Sequence, residues 1–77
     1  MKKYYSLVVS VLDEDGNRVE AHEITGSNNK KEMLVAREEL DKEIANGKHD
    51  DLNMEDCTLD AEIEVHDDDT WELLYIM

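Results

Sequence analysis

No lysine or arginine follows Lys48, so residues 49–77 carry eleven Asp and Glu and a net charge of −11, whereas residues 1–48 hold ten acids against eight bases and a net of −2. The 77-residue chain has a formal charge of −13. That excludes phosphate-backbone binding by bulk attraction and disfavours an anionic membrane surface, so an electrostatic partner is expected to be a basic protein rather than nucleic acid or membrane. Cysteine is nearly absent as well. Cys57 alone cannot form an intramolecular disulfide, and a small secreted domain ordinarily carries several cysteines, so a reducing cytoplasm is the expected compartment. There is no proline and there are three glycines, which leaves no Pro-rich or Gly/Ser linker; no repeat occurs either. The stretch from Tyr4 to Leu12 is interrupted by Ser6 and Ser10, too short and too alternating for a signal segment or a membrane span. A single domain over residues 1–77 is expected.

What is present is periodic. Tyr5, Leu7, Val9 and Val11 alternate with Tyr4, Ser6, Val8, Ser10 and Leu12, which predicts a strand with one apolar and one half-apolar face. A turn follows at Asp13-Glu14-Asp15-Gly16-Asn17. A two-residue loop of Asp15 and Gly16 would oppose Val11 with Glu20 and Val9 with His22. A three-residue loop of Glu14, Asp15 and Gly16 opposes Val11 with Val19 and Val9 with Ala21, and places Gly16 at a left-handed position that glycine occupies without steric cost. The second register is expected, with a bulge near His22-Glu23 or a frayed strand end, where the apolar parity changes before Ile24.

Asn29-Lys30-Lys31-Glu32 matches a capping box, and Met33, Ala36, Leu40 and Ile44 form one helical stripe, with Leu34 on its flank and Val35 opposite. The helix is predicted over about residues 30–46, stopped by Gly47. Cys57, Leu59, Ala61, Ile63 and Val65 then alternate with Thr58, Asp60, Glu62, Glu64 and His66, one face apolar and the other acidic. A loop at Asp67-Asp68-Asp69 would pair Val65 with Trp71, Ile63 with Leu73, Ala61 with Tyr75 and Leu59 with Met77, and would set Glu64 opposite Glu72. The fold class predicted is α+β: a ββαββ two-layer sandwich, an antiparallel sheet with one helix across one face.

Chemistry finds little purchase in this pattern. Aligned as a calcium loop about Gly16, the first turn puts Val11 and His22 where acidic ligands are needed. His66 beside Asp67-Asp68-Asp69 and His49 beside Asp50-Asp51 read as solvated loops, His22 as a strand-surface residue, and Trp71 with the tyrosines as mainly core. Cys57 reads as a small buried hydrophobe in acidic surroundings that would not activate its thiol. No catalytic residue, metal site or cofactor is expected, and the protein is read as a non-enzyme.

The charge asymmetry is the informative feature. Asp60, Glu62 and Glu64 share a strand face at a pitch of roughly 6.6 Å, joined by Asp67, Asp68, Asp69 and Glu72 and by Asp50 and Asp51. Solubility is served by mixed signs, whereas a surface that competes for a basic groove is harmed by any cation it carries. A short α+β chain with these acids in one region and no catalytic motif resembles the small phage or mobile-element anti-defence proteins, anti-CRISPR and anti-restriction inhibitors and nucleic-acid mimics generally. The resemblance lies in overall character. It implies an inhibitor that occupies a basic nucleic-acid-binding surface of a host defence effector, in the host-cell cytoplasm. The alternative is a small homodimeric or adaptor domain, because Tyr4, Val8, Leu12, Leu74 and Ile76 all fall on the parity the helix leaves uncovered.

Overall fold

The computed structural model describes residues 2–77. The elements are β1 (Lys3–Leu12), β2 (Arg18–Ser27), α1 (Lys30–Ala45), β3 (Thr58–Asp67) and β4 (Leu73–Ile76), with a short 3-10 turn at Asp50–Leu52. The strands form one antiparallel sheet in the order β2-β1-β3-β4, with α1 across one face, as the α+β pattern predicts. Among the described residues no helix is long and apolar enough to cross a membrane.

The sheet is built around β1 and β3 because these two strands carry matched apolar alternation. Tyr5 faces Val65, Leu7 faces Ile63, Val9 faces Ala61 and Val11 faces Leu59 in an unbroken ladder. Met33 and Leu40 of α1 close over this floor, and Leu34, Ala36 and Ile44 pack at its margin, while Val35 points to solvent. Truncating a fully buried member such as Ile63 to alanine costs about 2–5 kcal/mol.

Both helix ends follow the local signals. Asn29 Oδ1 accepts the Glu32 N–H (3.1 Å), and Ser27 Oγ accepts the Asn29 N–H (3.0 Å). At the other end Gly47 adopts φ +80, and the Gly47 and Lys48 N–H groups donate to the Ile44 and Glu43 carbonyls, both at 3.0 Å. This is a Schellman motif, and glycine is needed at its left-handed position.

The first hairpin has the expected loop but not the expected register. The Asp13 N–H donates to the Asn17 carbonyl (2.9 Å), enclosing Glu14, Asp15 and Gly16 with Gly16 at φ +83. Yet Val11 faces Glu20 and Val9 faces His22, because Val19 is taken up in a bulge; a second bulge absorbs Ile24, one residue beyond the predicted place. The cause is the position of α1, which lies mainly over β3 and β1. An edge strand with no deeply buried face specifies its register weakly, and bulges blunt an exposed edge.

The second hairpin also departs from expectation. The Asp67 N–H donates to the Glu72 carbonyl (2.9 Å), so the loop is Asp68, Asp69, Thr70 and Trp71 rather than Asp67-Asp68-Asp69. Asp67 Oδ1 accepts the N–H groups of Asp69 (2.8 Å) and Thr70 (3.2 Å), which starts the loop one residue later and lengthens it by one. Val65 then faces Tyr75, His66 faces Leu73, Glu64 faces Ile76, and Leu74 sits in a bulge. Glu72 therefore does not oppose Glu64. Trp71 is not core: it closes the loop in a left-handed conformation (φ 65) and is 56 % exposed. Cys57 lies half-buried in the turn before β3 rather than on the strand.

Candidate functional site

The sheet face away from α1 is assembled from four strands. Across it run Arg18, Ala21, Glu23 and Gly26 of β2; Tyr4, Ser6, Val8, Ser10 and Leu12 of β1; Thr58, Asp60, Glu62, Glu64 and His66 of β3; and Leu73 and Ile76 of β4. Small side chains occupy the middle strand and long ones its neighbours. Glu23 and Glu62 flank Val8 on either side, and Ser6, Val8 and Ser10 are buried without any covering layer of secondary structure.

The acids on this face differ in their engagement. Arg18 reaches from β2 across β1 to form an ion pair with Glu64, and the His66 Nε2–H donates to the other oxygen of the same carboxylate (3.1 Å). Burial alone would raise the Glu64 carboxyl, but the hydrogen bonds and charges of Arg18 and His66 outweigh it and hold it below its ordinary value of 4.5. Asp60 behaves oppositely: burial, reinforced by the neighbouring Glu62 charge, pushes its carboxyl up. Ser6 Oγ donates to Glu23 (2.6 Å), so part of the acidic rim is hydrogen-bonded from beneath.

At one end of β3, Asp67 is engaged in its turn and Asp68 pairs with Lys2 (3.6 Å), leaving Asp69 and Glu72 exposed. At the other end, Asp50 and Asp51 stand exposed in the 3-10 turn between α1 and β3. Thr58–Asp67 separates the two groups by roughly 30 Å at about 3.3 Å per residue. The nine predicted acids thus form a strip along β3 rather than a single patch. Among the described residues no Lys, Arg or His lies within ion-pair distance of Asp60, Glu62, Asp69, Glu72, Asp50 or Asp51.

The residues Tyr4, Val8, Leu12, Leu74 and Ile76, predicted to share an uncovered apolar face, do not form one. Val8 is 2 % exposed between its acidic neighbours, and the β4 bulge turns Leu74 against the core under the helix. Ile76 is exposed beside Glu64, and Leu12 is half-buried at the far end of β1. Tyr4 lies under Trp71, with ring centroids 4.9 Å apart.

That last contact belongs to a feature the alternation pattern misses. Trp71 also stacks on His66, with centroids 5.5 Å apart and an interplanar angle of 17°. Tyr4 in turn rests on Gly26, where a Cβ would overlap the phenol. Burial, followed by the charges of Glu23 and Asp68, pushes the Tyr4 hydroxyl above its ordinary value. His66 is therefore a strand-face residue with its side chain 14 % exposed, not part of a solvated tip. His49 is half-buried and hydrogen-bonded to Glu43 (2.9 Å), a bond that lowers the Glu43 carboxyl. His22 lies beside Glu20 (3.1 Å) on β2. Among the described residues no three His, Cys, Asp or Glu side chains converge as a metal site. Compared with protein-family models, with curated proteins and with solved structures, the chain matches none.

Proposed function

We propose that this protein is a non-enzymatic, anti-CRISPR-like inhibitor that occupies a basic nucleic-acid-binding surface of a host defence effector. The observation that carries this reading is the strip along β3, whose carboxylates Asp60, Glu62, Asp69 and Glu72, extended by Asp50 and Asp51, have no cation within ion-pair distance among the described residues. Carboxylates on β3 and on the turns at its two ends present repeated negative charge, as a nucleic-acid strand does, and a basic channel evolved for phosphates binds them through many partial contributions.

The test is inhibition of nucleic-acid binding by a candidate CRISPR nuclease or interference complex. Asp60→Lys with Glu62→Lys, and Asp69→Lys with Glu72→Lys, are each expected to weaken inhibition. Like-charge contacts across an interface cost several kcal/mol, so the four together should weaken it by more than about a hundredfold. Thermal melts establish that each variant is folded. A folded quadruple variant that inhibits unchanged removes mimicry through this strip.

A second reading, a homodimeric or adaptor domain, is favoured by β4. This edge strand carries no charged residue, and Leu73, Tyr75 and Ile76 are exposed along it. Unchanged inhibition by the quadruple variant, together with a dimer in sedimentation, assigns the contact to that edge.

A further inference from the structure

The aromatic shelf at the Tyr4 end of the open face is constructed for exposure rather than for burial. Trp71 holds a left-handed backbone conformation that non-glycine residues rarely adopt, and the conformation delivers its indole onto His66 and Tyr4 while leaving the residue 56 % exposed. The support runs across three strands: Gly26 of β2 makes room for the Tyr4 phenol of β1, and Tyr4 and His66 of β3 carry the indole. A tryptophan needed only for stability would be turned inward, where Val65 and Ile63 lie. A rigid, half-exposed tryptophan is instead the residue type that anchors interfaces.

The surroundings of the shelf select its occupant. Asp69 and Glu72, both exposed, flank Trp71 in the chain, and Asp68 and Glu23 stand near Tyr4; Lys2, a cation at this rim, is paired with Asp68. A purely apolar partner would strip water from these carboxylates and offer nothing in return. Nucleic acid could stack a base but would bring its phosphates against a chain of net charge −13, and a second copy would bring the same charge again. An arginine side chain meets both demands, because its planar guanidinium stacks on an aromatic ring and donates to carboxylates at the edge; a lysine ammonium has no plane to stack.

Building on the reading of a basic partner, we propose that Trp71 is the anchor for an arginine side chain of that partner, stacked on the free face of the indole within the rim formed by Asp69 and Glu72. The partner surface is thereby narrowed from basic to arginine-bearing.

Trp71 is the one tryptophan in the chain, so its fluorescence reports this site alone. Hexa-arginine and hexa-lysine peptides carry equal charge and are titrated against the wild type and Trp71→Leu, with calorimetry reading the variant and a thermal melt confirming its fold. The arginine peptide is expected to bind the wild type about threefold or more tighter and to perturb the indole emission, and the preference is expected to vanish in Trp71→Leu. Equal binding of the two peptides to the wild type overturns the proposal without needing the variant, as does a preference that survives in folded Trp71→Leu; in either case the basic-partner reading stands. Failure of both peptides to bind at low salt overturns that reading, and the anchor with it.

Discussion

Arg18→Met isolates the ion pair that spans the open face. Removing one partner of a fully buried pair costs about 3–5 kcal/mol, because a charge is left unpaired. Here the Arg18 and Glu64 side chains are 22 % and 20 % exposed and His66 still bonds the carboxylate, so the expected loss at pH 7 is about 2–3 kcal/mol. At about 4–8 °C per kcal/mol for a domain of this size, Tm falls by about 10–20 °C. A chain of this length is stable by about 4–12 kcal/mol, so the variant is folded at room temperature. The pH dependence separates charge from packing. The folded-state Glu64 carboxyl lies below its ordinary value of 4.5, so the stability it contributes is present above that value and is lost as pH falls through the lowered one. Without the guanidinium only His66 is left to oppose burial, the largest single influence on this carboxyl, so the carboxyl rises and the variant loses less on acidification. Urea unfolding of both proteins at pH 7 and pH 3 should show the gap narrowing sharply at the lower pH. An equal gap at both pH values would mean that only the hydrocarbon stem of Arg18 matters, and no gap at pH 7 would refute the pairing.

Two further outcomes are expected. Gly26→Ala drives Tyr4 off its seat and loosens the Trp71 stack, with a loss of about 1–3 kcal/mol, and its cost should shrink when Tyr4→Ala is already present; additive melts for the two changes would place Tyr4 elsewhere. Asp60→Asn removes a carboxylate whose folded value lies above the ordinary 3.8, so its ionised form is penalised at neutral pH and the penalty disappears below that range; Tm should rise modestly at pH 7 and not at pH 3, and a fall at pH 7 would contradict the account.

The elements of this fold are legible in the sequence because each is locally over-determined. Asn29 and Gly47 bracket the helix, the Met33–Leu40 spacing aims it, and β1 and β3 each carry strong alternation; the order of the hairpins in the sheet is not legible, and only the structure sets β1 beside β3. Registers at the sheet edges are not legible, since β2 and β4 bury little and a bulge at Val19, Ile24 or Leu74 reverses every inference drawn from parity. The second loop was decided by one side-chain oxygen of Asp67, a signal that Asp-Asp-Asp does not localise. Arg18 could not be assigned to Glu64 from the sequence, because the contact exists only once β1 is known to lie between β2 and β3.

The engagement of each carboxylate bears on what the strip is for. Glu64, Asp67 and Asp68 have ion-pair or turn partners within the chain, and reversing Glu64 would test folding rather than binding, since a lysine there would meet Arg18. Asp60 and Glu62 are different. The ionised form of Asp60 is disfavoured in the free protein, and Glu62 Oε1 is cut off from the surface without a hydrogen-bond partner in the chain. Carboxylates that serve only solubility are best fully hydrated, where their charge has no such cost. Within the chain the Arg37 charge offsets the cost at Asp60 only in part, and the basic partner of the proposed function would add the cation that the pair lacks at ion-pair distance.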